Sequence, residues 1–325
     1  MPETCLTLLA KLPENRGLHS EKLPFAGVGH RDVYNISAPF DLNGRQVIAG
    51  RVESREVEHS DIIFFAQDQG QWLPIASAPT FPGLQDPCVT FVGAELILGG
   101  VRFPTKMADG SVGWRMEFYR GPNLENLRLF LTGPDKMKDI RLVEFTDQRV
   151  GVFTRPQGAK GGRGQIGFFV AAHLESITAT AMADAPLFQR QCRPDEWLGA
   201  NEAHALANGL IGVLGHIAYF DRNEHRHYYP MVFAVNPHTG EATAPEIIVT
   251  RTDFSAGPAK RPDLVDVMFS GGLIRHSDGS ATLYAGLSDA EAGCVQIQDP
   301  LIRFENSIET IAFTDDLGSA KAAQM

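Results

Sequence analysis

Short apolar runs rich in Val, Ile, Leu and Phe recur along the whole chain, each four to eleven residues long and bounded by Gly, Pro, Asn or Asp. They occur at 33–37, 46–53, 61–67, 88–93, 95–103, 114–120, 140–145, 149–154 and 165–172, then at 203–206, 210–220, 228–235, 267–274, 281–287 and 294–298. Runs of this length, enriched in β-branched and aromatic residues and punctuated by turn formers, predict strands. Only residues 6–12 and 123–131 carry a helical pattern, and neither opens with a strong cap. The predicted class is all-β.

The strands are grouped. Each group opens with an acid before a short strand: Asp32, Asp86, Asp139, Glu202 and Asp266, separated by 54, 53, 63 and 64 residues. Tight turns follow at Asn43-Gly44, Gly93-Ala94, Asp147-Gln148, Asn208-Gly209 and Asp278-Gly279. Such pairs suit the positive φ of hairpin turns. Five similar units predict a five-bladed β-propeller, in which each blade covers its neighbour's apolar face. The expected domain is single and spans residues 1–315, with an N-terminal strand closing the last blade and a flexible tail at 316–325. Interruptions by Pro and Gly near residues 80, 135, 195 and 262 mark the blade edges. A two-domain β-sandwich is the structural alternative.

Charge narrows the partners. With 29 Lys plus Arg against 39 Asp plus Glu, the formal charge is -10, and an acidic surface repels nucleic acid and anionic lipid. No apolar run approaches the roughly 20 residues of a membrane span, and no cleavable leader is evident, so a soluble cytoplasmic protein is expected. Cys5, Cys88, Cys192 and Cys294 are widely spaced and suggest neither disulfides nor a metal site. No cofactor or metal is expected. The glycines of residues 162–167 match a dinucleotide-binding pattern but precede a strand instead of a helix, and read as a flexible loop. His225 and His227 sit among charged residues and read as a solvated hairpin tip.

In a propeller, an acid opening each inner strand would place several carboxylates around one axial funnel. Crowded, desolvated carboxyls resist joint ionisation. Glycoside hydrolysis needs that division, one neutral acid to protonate the leaving oxygen and one carboxylate to activate water or attack. The candidate catalytic residues are Asp86, Asp32 and Glu202. Candidate substrate ligands are Arg51, Glu53, Asp139, Arg141, Arg155, Asn201, His216 and Asp266. Each has a simpler explanation: Asp86-Pro87 as a turn opening, Asp32 as a surface acid, Asp139 and Asp266 as salt-bridge partners, His216 as a core histidine.

These residues resemble a known group, the five-bladed propeller glycosidases. Gln85-Asp86-Pro87 is similar to the Glu-Asp-Pro-Arg element of the mannoside phosphorylases and inverting mannosidases, where the Asp is the general acid. Asp32-Val33-Tyr34-Asn35, residues 50–55, Asn201-Glu202 and residues 215–218 resemble an uncharacterised bacterial and trypanosomatid family of glycosidase-like proteins. The resemblance implies a glycoside hydrolase or phosphorylase acting on a small oligosaccharide, a mannoside among the candidates, with inorganic phosphate as candidate cosubstrate. Invertase-type relatives would instead make Asp32 the base or nucleophile and Glu202 the acid, in conflict with Asp86 as acid. Cys88 stands where the phosphorylase element has Arg, which removes a cation expected to serve phosphate. A non-catalytic carbohydrate-binding or scaffolding propeller is the alternative.

Overall fold

The structure, a computed structural model, describes residues 2–13, 16–189 and 191–306. The fold is all-β. Five antiparallel groups of strands follow one another among the described residues. The first is built on Asp32–Tyr34, Arg45–Glu53, Asp61–Asp68 and Gln71–Pro74, and the second on Leu84–Val92, Glu95–Lys106, Val112–Gly121 and Arg128–Thr132. Arg141–Glu144, Val150–Thr154 and Gly167–Ala171 form the third. The fourth contains Trp197–Ala205, Ile211–Phe220, Arg226–Val235 and Glu246–Ile247, and the fifth Asp266–Arg275, Ser280–Leu287 and Glu291–Gln298. The last two groups are joined by a short parallel pairing of His227 with Asp266 and Tyr228 with Val267. The expected N-terminal strand is His19–Lys22, paired antiparallel to Glu291–Gln298.

The predicted turns connect the strands they were placed between. Asn43 and Gly44 (φ 56° and 80°), Gly93 (58°), Gln148 (67°), Gly209 (84°) and Gly279 (84°) all take the left-handed region that such turns require. The predicted helix at 123–131 is not formed. Only Leu124–Asn126 makes a 3-10 turn, and Arg128–Thr132 becomes an edge strand on Val112–Gly121. Pairing with a ready strand edge satisfies backbone groups that an uncapped helix would leave open. Residues 5–9 do form a helix, with Thr4 as its cap. The expected extent of the domain to residue 315, and the tail beyond it, lie outside the described residues.

Apolar clusters sit between successive groups, not within them. Val47 and Phe64 of the first group share a cluster with Leu84 and Leu96 of the second. Ile97 and Phe118 pack on Val150 and Val152 of the third, Phe153 and Phe168 on Leu198 and Phe233 of the fourth, and Leu214 and Val232 on Met268 and Leu283 of the fifth. Ala292 of the fifth then joins Val33, Ile36 and Val52 of the first. Each sheet therefore has two apolar faces, each covered by a neighbour. At the seam between fifth and first groups the backbones touch: a Cβ on Gly271 would lie 1.7 Å from the Ile36 carbonyl oxygen. Only glycine fits there.

Candidate active site

Each group has one irregular residue in or beside its first strand. Asn35 (φ 46°), Asp86 (50°) and Asp139 (56°) are left-handed, and the ladders of the fourth and fifth groups shift register around Asn201 and Gly271. Asp86 also lies inside a register shift, between Gln85 and Cys88. Non-glycine residues in this region cost on the order of 1–3 kcal/mol each and concentrate where structure is strained for function. The irregular positions are spaced by 51, 53, 62 and 70 residues. The acid-led repeat coincides with them at Asp86 and Asp139 only; at Asn35 the left-handed conformation is held by asparagine, which tolerates it as aspartate does.

Around Asn35, Asp86 and Asp139 lies a cavity of about 200 Å³, lined by six cationic side chains and four carboxylates. In a chain of net charge -10, that local excess marks a place suited to an anion. Asp86 Oδ1 accepts hydrogen bonds from Asn35 Nδ2 (2.8 Å) and Arg51 Nη1 (3.0 Å). Its other oxygen has no protein partner among the described residues. Arg51 is held from behind by the fully buried Glu53, which accepts from Arg51 Nε (2.8 Å), Ser60 Oγ (2.5 Å), Tyr34 OH (2.7 Å) and Lys260 Nζ (2.5 Å). Burial alone would raise the Glu53 pKa. The Arg51 charge and the hydrogen bonds from Lys260, Ser60 and Tyr34 outweigh it and hold the carboxyl down at about 2.

Across the cavity Arg155 Nη1 meets Asp139 Oδ2 at 2.5 Å, both groups being almost fully buried. Burial works against the Asp139 charge, but Arg155, His216, Lys138 and Arg141 hold its pKa well below the usual carboxylate range. In the glycine-rich stretch expected to be a flexible loop, residues 158–160, 162 and 163 are exposed, but its end is packed on the site: a Cβ on Gly164 would lie 2.7 Å from Arg155 Nε. His216 bonds through Nδ1 to Asn201 Oδ1 (2.8 Å) and stacks on Tyr228, centroids 5.2 Å apart. Its pKa is pushed down to about 3, by burial first and then by Arg155, Lys138 and Arg141, against the pull of Asp139. The ring is therefore neutral at pH 7.

Five predicted ligands thus gather with Asp86: Arg51, Asp139, Arg155 and His216 on the wall, and Glu53 behind it. Asp32 does not join them. Its carboxylate is bound by Arg55 (2.5 and 3.0 Å) beside a different depression. Glu202 lines a second cavity of about 270 Å³, formed by the next stretch of the same first strands, residues 37–40, 88–91, 141–142 and 201–204. There it accepts from the Leu273 amide (2.6 Å) and lies 2.9 Å from His204 Nε2. The neighbouring Asn201 instead turns its side-chain oxygen to His216. Arg141 and Asn201 also border that second cavity, and the Arg141 guanidinium is spent on the Asn201 and Ile140 carbonyls (2.6 and 2.9 Å). Asp266 is tied to Tyr229 OH and His227 Nδ1 (2.5 and 2.7 Å) at the junction of the last two groups and does not line the Asp86 cavity. Asp32, Glu202 and Asp266 thus lie apart from the Asp86 cavity, each paired with a neighbouring side chain, because an acid that opens a strand is as readily a pairing partner for the next element.

Sequence reasoning missed Asn35, Lys138, Arg226, Tyr228, Lys260 and Asp289, all of which line the cavity. Arg226 was assigned to a solvated tip, yet it begins the strand Arg226–Val235. Asp289 sits left-handed (φ 51°) in the turn between the last two predicted strands. Burial, reinforced by Asp86, pushes its pKa up against Arg51, Lys260 and Arg226. Cys88 lines the second cavity, so the cations of the first come from other positions. Beyond Lys138, Arg155, Arg226 and Tyr228 the cavity runs into a groove of about 260 Å³ with Trp114, Gln157, Arg163, Trp197 and Phe220, where no carboxylate appears.

A family model described as a protein of unknown function (DUF1861) matches residues 11–303. No curated protein sequence matches the chain. Among solved structures, a mannose phosphorylase from Leishmania mexicana, MPT-4, in complex with a phosphate ion is 31% identical, with a TM-score of 0.83 over 96% of this chain and 97% of that one. MPT-1, a GDP-Man-dependent mannosyltransferase from the same organism, is 30% identical over 94% of each chain, with a TM-score of 0.79. A β-1,2-mannobiose phosphorylase from Listeria innocua shares the fold at 15% identity, with a TM-score of 0.61 over 93% of this chain and 96% of that one.

Proposed function

The chain belongs to the DUF1861 family, and from that premise we propose that it is a carbohydrate-active enzyme, a glycoside phosphorylase that cleaves a mannoside with inorganic phosphate in the Asp86 cavity. One observation carries the reading: a strained carboxyl with one unbonded oxygen shares about 200 Å³ with an excess of cations. The relatives that act on mannose support it. Five groups packed in sequence, the fifth against the first, support a five-bladed propeller with this cavity at its axis.

In the proposed step Asp86 protonates the glycosidic oxygen, the bond from C1 to that oxygen breaks, and a phosphate oxygen forms the new bond to C1. The products are a free sugar alcohol group and a sugar 1-phosphate. Phosphate is already an anion, so no second carboxylate is needed to activate a nucleophile, and the two-carboxylate scheme of hydrolysis is unnecessary. What the reaction needs is positioning and charge neutralisation, which Lys138, Arg155 and Arg226 supply. Asn35 and Arg51 orient the acid, and Asp289 is placed to hold sugar hydroxyls.

The test is incubation with manno-oligosaccharides with and without phosphate, reading sugar 1-phosphate by NMR. Product that requires phosphate and disappears in Asp86→Asn supports phosphorolysis. Reducing sugar released equally without phosphate indicates a hydrolase. Sugar binding without turnover by any substrate, unchanged in Asp86→Asn, leaves a binding protein. A second reading, transfer from a nucleotide sugar, is favoured by the carboxylate-free groove, where Arg163 lies over Phe220 at 5.3 Å. Transfer from GDP-mannose in the absence of phosphate would select it.

A further inference from the structure

The Asp86 cavity is lined by cations and carboxylates, and beside them lies one neutral group with an unmatched acceptor. His216 Nε2 is buried and has no hydrogen-bond partner among the described residues. Asp139 Oδ2 stands 4.0 Å away, is committed to Arg155, and is itself an acceptor. Asn201 Oδ1 takes the other ring nitrogen at 2.8 Å, which places the single imidazole proton on Nδ1 and leaves Nε2 a bare lone pair. The ring cannot turn away. It stacks on Tyr228, and Gly199 gives it room: a Cβ there would lie 2.5 Å from His216 Cε1. The neutral state follows from burial among Arg155, Lys138 and Arg141.

A pocket that gathers cations and also borders a buried lone pair fits an anion that still carries a proton. We propose that His216, fixed by Asn201 as a hydrogen-bond acceptor, reads the protonated oxygen of phosphate and makes the cavity reject sulfate. This rests on the phosphate subsite of the phosphorylase reading. Inorganic phosphate carries at least one proton at neutral pH, so its hydroxyl donates to Nε2 while its other oxygens face Lys138, Arg155 and Arg226. Sulfate has nearly the same size and charge but no proton, and would set lone pair against lone pair. Leaving a buried polar group unpaired costs about 1–3 kcal/mol, or roughly 5- to 150-fold in binding. Asn201 acts here as a positioning residue.

Calorimetric titration of the full chain with phosphate, arsenate and sulfate at pH 7 and constant ionic strength tests this. Phosphate and arsenate, both protonated, are expected to bind at least about tenfold tighter than sulfate. His216→Gln, whose amide can turn a donor to the anion, is expected to narrow that ratio to within about threefold. Asn201→Asp places a charge against Nδ1, favours the doubly protonated imidazole and should shift the ratio the same way. A ratio is insensitive to general loss of fold, and thermal unfolding of each variant confirms that a folded protein was titrated. Equal binding of sulfate and phosphate by the wild type overturns the inference while phosphate-dependent cleavage still stands. An unchanged ratio in both variants overturns it too. Binding of none of the three anions overturns it together with the phosphorylase reading, whereas binding with the predicted ratio but no phosphorolysis overturns only the latter.

Discussion

Two cavities are cut from successive stretches of the chain, and they differ in how much uncompensated charge they gather. In the second, Glu202 Oε2 is bound by His204 and the Leu273 amide, Arg141 is spent on two carbonyls, and Phe40, Phe91 and Phe118 supply much of the remaining wall. In the first, six cationic side chains meet four carboxylates, and Lys138, Arg226 and Asp289 have no ion pair among the described residues. Charges gathered in one cavity without partners suit a charged ligand and concentrate at functional sites. That contrast, more than the count of acids, separates the candidate active site from its neighbour.

The comparison breaks most directly at its two acids. Asp86→Asn is expected to lower kcat by roughly 10²- to 10⁴-fold, the range for a lost general acid, while Glu202→Gln should change it by less than about threefold. Equal losses in steady-state assays would erase the distinction between the cavities. Next in size is Glu53→Gln. It leaves Arg51 and Lys260 buried beside a neutral amide, and breaking such a network costs on the order of 3–5 kcal/mol, measurable as a fall in denaturant midpoint.

The acid limb of stability sharpens the same point. Glu53 titrates near 2 in the fold against an ordinary value of 4.5, so its contribution is complete above about pH 4.5 and is lost as pH falls towards 2. His216 titrates near 3 in the fold against 6.5. The unfolded chain binds that proton first, so stability declines as pH falls from about 6.5 towards 3. In chemical denaturation across this range, His216→Gln should flatten the upper part and Glu53→Gln the lower. Smaller again is Lys138→Gln, expected to raise the KM for phosphate about tenfold with kcat within a few-fold, as for loss of a positioning charge. Smallest is His204→Gln. Its pair with Glu202 is partly exposed, and a change of less than about 1 kcal/mol in stability with unaltered kinetics is expected; a larger kinetic effect would make the second cavity functional.

Much of the strand pattern was legible because alternation and turn chemistry are local. The hairpin turns at Asn43-Gly44 and Asp278-Gly279 need only two residues with the right φ, and those residues announce themselves. The segment 123–131 misled because its helical periodicity competes with a strand edge supplied from residues 112–121. Within the site, Asp86 and Asp139 were found since acids there occupy the irregular backbone position themselves. Asp32 and Glu202 lie three residues before and one residue after the equivalent positions, Asn35 and Asn201. On a pleated strand such an offset sends a side chain to another surface. Asp289 and Arg226 gave no signal because a turn aspartate and a strand-end arginine look alike wherever they are.

The sequence by itself determined an all-β chain of repeated hairpins, the turns that join them, and the mannoside-phosphorylase resemblance at Asp86. The tertiary structure alone decided which charges meet. Residues as distant as Asn35, Asp86, Asp139, His216 and Asp289 share one cavity because the groups of strands pack on one another in sequence, and that packing, not spacing along the chain, fixes which side chains meet. Partnering is likewise a three-dimensional property. Whether a carboxylate is spent on an arginine or left with a free oxygen depends on groups brought to it from other strands, and no local pattern records them.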